Sequence, residues 1–165
     1  FDRFTNVSAS WVYDVVDAGY KYNLTDPAAA LGQVQLARIQ EFNEARGRLA
    51  VVYDKELAEL PVIRPPQPAS GDTHSWHLYL VQVRDDSPLD RNALIDALKA
   101  RGIGTSVHYR PLHQMTYWKK FVAADAVFKA ADAYFERCVS LPLYMSMTDD
   151  EQSYVIEALQ ELLVQ

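Results

Sequence analysis

Apolar and polar positions along the chain alternate between two periods, and the switches mark its elements. From Asp26 to Leu60 apolar residues recur at spacings of three and four, as Leu31, Val34, Phe42, Ala45, Leu49 and Val52, which predicts helix. The run is longer than a typical globular helix, so a break or bend is expected near Arg38–Glu41, giving two helices that form a spine. Arg38, Arg46, Arg48, Glu41 and Glu44 fall on the solvent face of that spine. Pro61 ends it, and Arg64-Pro65-Pro66-Gln67-Pro68 reads as a stiff extended connector.

The period then shortens. Ser75–Arg84 (SWHLYLVQVR) alternates every second residue, with Trp76, Leu78 and Leu80 on one face and His77, Tyr79, Val81 and Val83 on the other. Both faces are largely apolar, which predicts a central strand. Asp90–Arg101 returns to helical spacing, with Leu94, Ile95 and Leu98 inward and Gly102 as its stop. Ile103–Tyr109 (IGTSVHY) is expected as a second strand and Val139-Ser140-Leu141 as a third. Helical stretches are predicted around Met115–Val122 and from Val127 to Arg137. Thr148-Asp149-Asp150-Glu151 is a capping box that opens a last helix burying Val155, Ile156, Leu159, Leu162 and Leu163. Residues 1–18 show no sustained period; Trp11, Val12, Val15 and Val16 suit a short strand or a flap. Three strands separated by helices predict a small α+β layer.

Composition narrows the function classes. At 165 residues, 49% hydrophobic and 23% charged, the chain suits one globular domain or a large piece of a bigger protein. It begins at Phe1 and not Met, which fits a processed or engineered product or a fragment of a longer chain. A net charge of −6 without a Lys/Arg cluster argues against a nucleic-acid partner. No apolar run reaches membrane-spanning length, so no membrane partner is expected. The single cysteine, Cys138, excludes an internal disulfide and a Cys-based zinc site, and fits a reducing, cytoplasmic setting. It is read as a core residue at a helix end.

Candidate chemistry is sparse. In Gly19–Gly32 (GYKYNLTDPAAALG), Asp26-Pro27 is a good helix opening. Polar groups just before such a start suit either an anion held by free N–H groups or an ordinary capped helix. His74 and His77, three apart on a strand, fall on opposite faces and make a poor metal pair; no metal site is expected. His108 and His113 flank Tyr109-Arg110 at a strand end, where pocket residues commonly lie. Hydrolase elbows, phosphate-binding glycine loops and dinucleotide fingerprints do not occur.

Several stretches, in order, resemble one family. They are Gly19-Tyr20-Lys21-Tyr22-Asn23 with Thr25-Asp26, Ala30-Leu31-Gly32 with Gln35-Leu36, the Arg46–Tyr53 segment and His74-Ser75-Trp76-His77-Leu78-Tyr79. Leu98–Thr105 (LKARGIGT), His108-Tyr109-Arg110-Pro111-Leu112-His113 and Ser140-Leu141-Pro142-Leu143-Tyr144 complete the set. Together they resemble the DegT/DnrJ/StrS-type sugar aminotransferases, which use pyridoxal phosphate (PLP). The YKYN form and the GIGT–H–H pattern are most similar to the branch making aminoarabinose and related 4-amino sugars.

The resemblance implies an aspartate-aminotransferase-like (fold type I) enzyme, of which this chain is the later portion. Residues 1–25 would end the large domain, 26–60 form the connecting helix or helices, and 61–165 form the small C-terminal α+β domain, with a three-stranded, mostly antiparallel sheet. By the same resemblance Asn23 reaches across a homodimer interface to the cofactor phosphate. His108, Tyr109 and Arg110 form a substrate-side wall, with His77 near the pocket. Leu24 stands where many relatives carry a basic residue, so no second phosphate contact is carried over. The aldimine lysine is expected upstream of Phe1, since neither Lys21 nor Lys55 has a matching context; the chain alone is expected to be inactive. The implied reaction moves an amino group from a donor such as glutamate to a nucleotide-linked keto-sugar, with the N-terminal PLP-binding large domain as partner. The alternatives are a PLP-assisted sugar dehydratase relative and a non-catalytic oligomerisation or interaction domain.

Overall fold

The computed structural model describes residues 20, 22–123 and 125–164. The strand or flap expected at Trp11–Val16 lies outside them, as do Gly19 and Lys21 of the GYKYN stretch. The chain falls into two compact units, Phe1–Ala37 and Arg38–Gln165.

In the first unit, residues 22–25 lack regular structure and lead into helix α1, Asp26–Ala37. The helix predicted from the spacing of Leu31 and Val34 is present, but it buries none of its residues, and both side chains are exposed.

The second unit opens with α2, Ile39–Glu56, so the expected break falls at Arg38. Arg38 pairs with Glu41 at 3.0 Å on the helix surface. Leu49, Ala50 and Tyr53 form the buried stripe of α2. A three-stranded sheet follows, in order β1 (Val62–Ile63), β2 (Tyr79–Val83), β3 (Cys138–Leu141). Both pairings are antiparallel, with Val62 opposite Val83 and Tyr79 opposite Leu141. β2 is central, as its apolar faces require: Tyr79, Val81 and Val83 are buried, and Leu80 and Gln82 half-buried. Helices α3 (Arg91–Ala100) and α6 (Asp149–Leu163) join α2 in one core with the sheet's inward residues. Tyr53, Leu57, Tyr79, Leu94, Leu98 and Leu159 are its large, almost fully enclosed members. Two short helices, α4 (Thr116–Lys119) and α5 (Lys129–Arg137), lie between α3 and β3.

Three expectations change. The predicted strand Ile103–Tyr109 is a loop that meets the sheet only through an isolated bridge between Ser106 and Ser140. Gly102, Gly104 and Pro111 frame too short a run to hold a ladder. The third strand is instead Val62–Ile63, two β-branched residues hidden between Pro61 and the connector. β2 begins at Tyr79, not Ser75, so strand alternation does not govern His74 or His77. Cys138 is, as expected, a core residue at a helix end: it caps α5 and also opens β3, fully buried, and burial pushes its thiol up.

Caps set the helix ends where the sequence put them. The Asp90 carboxylate accepts from Ala93 N–H at 2.8 Å at the start of α3. Its end is a Schellman turn: Gly102 N–H bonds the Lys99 carbonyl, Ile103 N–H bonds that of Leu98, and Gly102 takes φ +74°. In α6 the Thr148 hydroxyl accepts from Glu151 N–H, and the Glu151 carboxylate accepts from Thr148 N–H at 2.8 Å. Those Thr148 bonds hold the Glu151 carboxyl below its usual range. Thr148→Ala is expected to lower stability by about 1 kcal/mol in urea unfolding. Because a depressed carboxyl stabilises the fold only while ionised, the part of the wild-type advantage carried by the Thr148 hydroxyl's bond to the Glu151 carboxylate should fade as pH falls through the carboxylate range, leaving the bond from Glu151 N–H. A gap between the two proteins that does not narrow at low pH would count against this account.

Candidate functional site

The segment after α3 carries the candidate chemistry. The Schellman turn sends Ile103 into the core, and residues 104–111 then run beside β3. Ser106 and Ser140 exchange backbone bonds of 3.3 and 2.8 Å. Two residues on, His108 turns its Nδ1 to the Ser140 hydroxyl at 2.5 Å. Ser140 is itself only 4% exposed, so this is a buried anchor for a half-buried ring. The peptide bond to Tyr109 is cis, and the His108 and Tyr109 rings meet edge to face at 4.6 Å. Tyr109 is 70% exposed and Arg110 is exposed, so both present free polar groups at the surface. The motif HYRP therefore holds one anchored ring with two exposed side chains beside it.

Pro111 opens a 3₁₀ turn, Leu112–Gln114, whose polar groups converge on α5. His113 Nε2 and the Gln114 amide both meet Asp132 Oδ1 at 2.6 Å, and the His113 ring stacks on Phe128 at 4.5 Å. Hydrogen bonds from Gln114 and then His113 hold the Asp132 carboxyl below its ordinary value. His113 is thus a structural pin. Sequence spacing placed it beside His108 without revealing Asp132, nineteen positions away.

His77 lies elsewhere. It precedes Tyr79, which pairs with the Leu141 end of β3, whereas His108 follows Ser106 towards the Cys138 end. His77 is exposed on the wall of a cavity of about 400 Å³ with Arg64, Pro66, His74, Leu80 and Tyr134; that wall does not include His108, Tyr109 or Arg110. His74 Nδ1 accepts from Trp76 N–H at 2.9 Å, so it is engaged within its own loop. Trp76 is buried at φ +45° and explains why this loop departs from strand geometry. Among the described residues no three His, Cys, Asp or Glu side chains gather as a metal site. No described helix is long and apolar enough to cross a membrane.

Asn23, in the other unit, is exposed in the irregular residues before α1. Its carboxamide can donate to an anion, and the open helix start beside it has the same preference. Lys55, the described lysine considered for cofactor chemistry, is exposed on α2 and pairs with Glu56 at 3.0 Å.

The sequence pattern of the DegT/DnrJ/EryC1/StrS aminotransferase family matches residues 3–160. The chain belongs to that family. It is 39% identical over 99% of its length to the spore coat polysaccharide biosynthesis protein SpsC of Bacillus subtilis, covering 42% of that protein. Its fold is similar to Spr1654 of Streptococcus pneumoniae, with a TM-score of 0.84 and 34% identity over 93% of this chain and 38% of that one. Spr1654 has been solved in apo, PMP and PLP forms. The sugar aminotransferase CalS13 of Micromonospora echinospora matches 98% of this chain and 40% of its own, at 28% identity and a TM-score of 0.78. The chain therefore spans about two fifths of the length of these relatives. The solved relatives are fold type I sugar aminotransferases, of which this chain, with its small antiparallel sheet and flanking helices, is a part, and PLP is the family's cofactor.

Among the described residues of this DegT/DnrJ/EryC1/StrS chain, the exposed Asn23 carboxamide is a donor of the kind a phosphate oxygen accepts. Ser140 was in the sequence motif SLPLY, but its tie to His108 had no sequence signal, because thirty-two positions separate them.

Proposed function

We propose that this chain is the C-terminal portion of a PLP-dependent aminotransferase that transfers an amino group to a nucleotide-linked keto-sugar. Glutamate is the proposed donor, and polysaccharide assembly the proposed use of the product. The observation that carries the reading is the family match across residues 3–160, supported by the shared fold with Spr1654, which exists in PLP and PMP forms. When bound, PLP supplies the electron sink for the transfer.

In this reading Asn23 donates an amide N–H to a phosphate oxygen across a homodimer interface. Arg110 offers a planar fork of donors to the substrate diphosphate, where lysine would offer only a point charge. Tyr109 lays an aromatic face against the sugar or base, and His108 holds a ring nitrogen towards a substrate oxygen. His77, on the wall of a separate cavity, is given no substrate contact in this reading. The lysine that links the cofactor and moves the proton comes from a PLP-binding large domain outside residues 1–165, so the chain alone is inactive.

The test mixes the chain with PLP, desalts it, records the visible spectrum and maps borohydride-reduced peptides. The expected result is no retained band for the chain alone. When it is joined to a PLP-binding large domain, a band should appear and be lost on adding glutamate. A band traced to one lysine of the chain itself would overturn the reading. In the joined protein, Asn23→Ala should weaken PLP retention by about tenfold to a hundredfold, the scale of a hydrogen bond to a charged group. Unchanged retention would remove Asn23 from the site.

A further inference from the structure

We infer that Ser140 is a positioning residue that fixes the His108 imidazole in one tautomer and so decides what the ring offers to substrate. The inference rests on the proposed function only in taking His108 to face the substrate.

Two arrangements suit the 2.5 Å contact between His108 Nδ1 and Ser140 Oγ. Either the Ser140 hydroxyl donates to a bare Nδ1, or a protonated Nδ1 donates to the hydroxyl oxygen. In the second, the hydroxyl proton needs another acceptor. Ser140 is 4% exposed on a strand whose four residues are all buried, and His108 is the one partner of its Oγ among the described contacts. An unpaired buried donor is strongly disfavoured. The first arrangement therefore holds: Ser140 O–H donates, Nδ1 accepts, and the ring proton sits on Nε2.

Position follows from the same contact. The Ser106–Ser140 bridge ties the backbone of the loop to β3, and β3 is paired along its length with the central strand. Ser140 thus serves both the backbone and the ring from a fully buried strand. No described group bonds Nε2. His108 presents an N–H donor, which suits an oxygen acceptor of the substrate: a sugar oxygen or a phosphate oxygen. A ring in the other tautomer would present an acceptor and favour a hydroxyl proton instead.

The test is a histidine side-chain nitrogen–proton correlation spectrum of the labelled chain at about pH 8.5, above the ordinary imidazole range. Wild-type His108 should show a protonated Nε2 and a bare Nδ1. Ser140→Ala, and Ser140→Cys as the variant closest in volume, should move both nitrogens towards the exchange average. Ser140→Thr, which keeps the hydroxyl, should restore the wild-type pattern. Backbone amide spectra check that each variant is folded. A wild-type ring protonated at Nδ1, or a pattern that folded Ala and Cys variants leave unchanged, would overturn the inference.

A second readout separates this from the function proposed above. In the joined enzyme, Ser140→Ala should raise KM for the sugar acceptor about threefold to tenfold, the scale of one neutral hydrogen bond, and leave KM for the amino donor unchanged. A shifted tautomer with an unchanged sugar KM would remove His108 from the substrate wall, and with it the catalytic purpose of Ser140.

Discussion

Tyr79→Ala should destabilise the chain by about 3–5 kcal/mol, the cost of emptying a large aromatic site in a packed core. The ring is fully buried in the central strand, 4.9 Å from the Tyr53 ring and 5.9 Å from Trp76. Its hydroxyl donates to Asp54 Oδ1 at 2.6 Å, while Tyr53 donates to the Pro142 carbonyl at 2.9 Å. The pair therefore joins α2, β2 and the exit of β3. Tyr79→Phe keeps the ring and removes only the bond. That variant should lose about 1.5 kcal/mol, the low end for a charged acceptor, because Gln67 still donates to Asp54. Urea midpoints for the three proteins decide the matter. Equal losses for Phe and Ala would mean the hydroxyl, not the ring, dominates.

The same two tyrosines set an alkaline limit. Burial raises both phenols above their ordinary value of 10.0, and for Tyr79 the Asp54 hydrogen bond adds to it. A phenol harder to ionise when folded contributes stability that is complete below the unfolded value and lost as pH rises through the folded one. Stability should therefore fall steadily above about pH 10. Tyr79→Phe should flatten that fall, since one of the two titrations is gone.

Much of this architecture was readable because it depends on local chemistry. Helix ends followed from Asp90, Gly102 and the Thr148–Glu151 box, each acting within a few residues. The central strand followed from the two apolar faces of Tyr79–Val83. What failed was partner choice. Ile103–Tyr109 has strand-like composition, but the edge it approaches offers it only one bridge, at Ser140. Val62–Ile63 has too few residues to show a period, yet gains a ladder because Val83 and Gln82 stand opposite. Leu31 and Val34 gave helix α1 by their spacing, yet neither is buried. Candidate residues divide the same way. His108, Tyr109 and Arg110 adjoin in the sequence as one motif, whereas Ser140 and Asp132 are partners brought in from thirty-two and nineteen positions away. Their roles exist only once the chain is folded.

Leu98→Ala is the change expected to connect core packing to the candidate site. Leu98 is fully buried on α3, which packs against both α6 and β3, and its truncation should cost about 2–5 kcal/mol. That is a large share of the 5–15 kcal/mol typical of a domain, so the variant should fold but unfold at much lower urea. Its carbonyl also receives both Arg101 N–H and Ile103 N–H in the turn that launches the HYRP segment. Loss of the side chain should therefore loosen that turn, and with it the Ser106–Ser140 bridge. Hydrogen exchange should speed up at Ile103, Ser106 and Ser140 beyond the change at Leu80 and Val81 in the central strand. If exchange instead rises evenly across the sheet, the segment that carries His108 is held by β3 alone, and α3 serves only to fill the core.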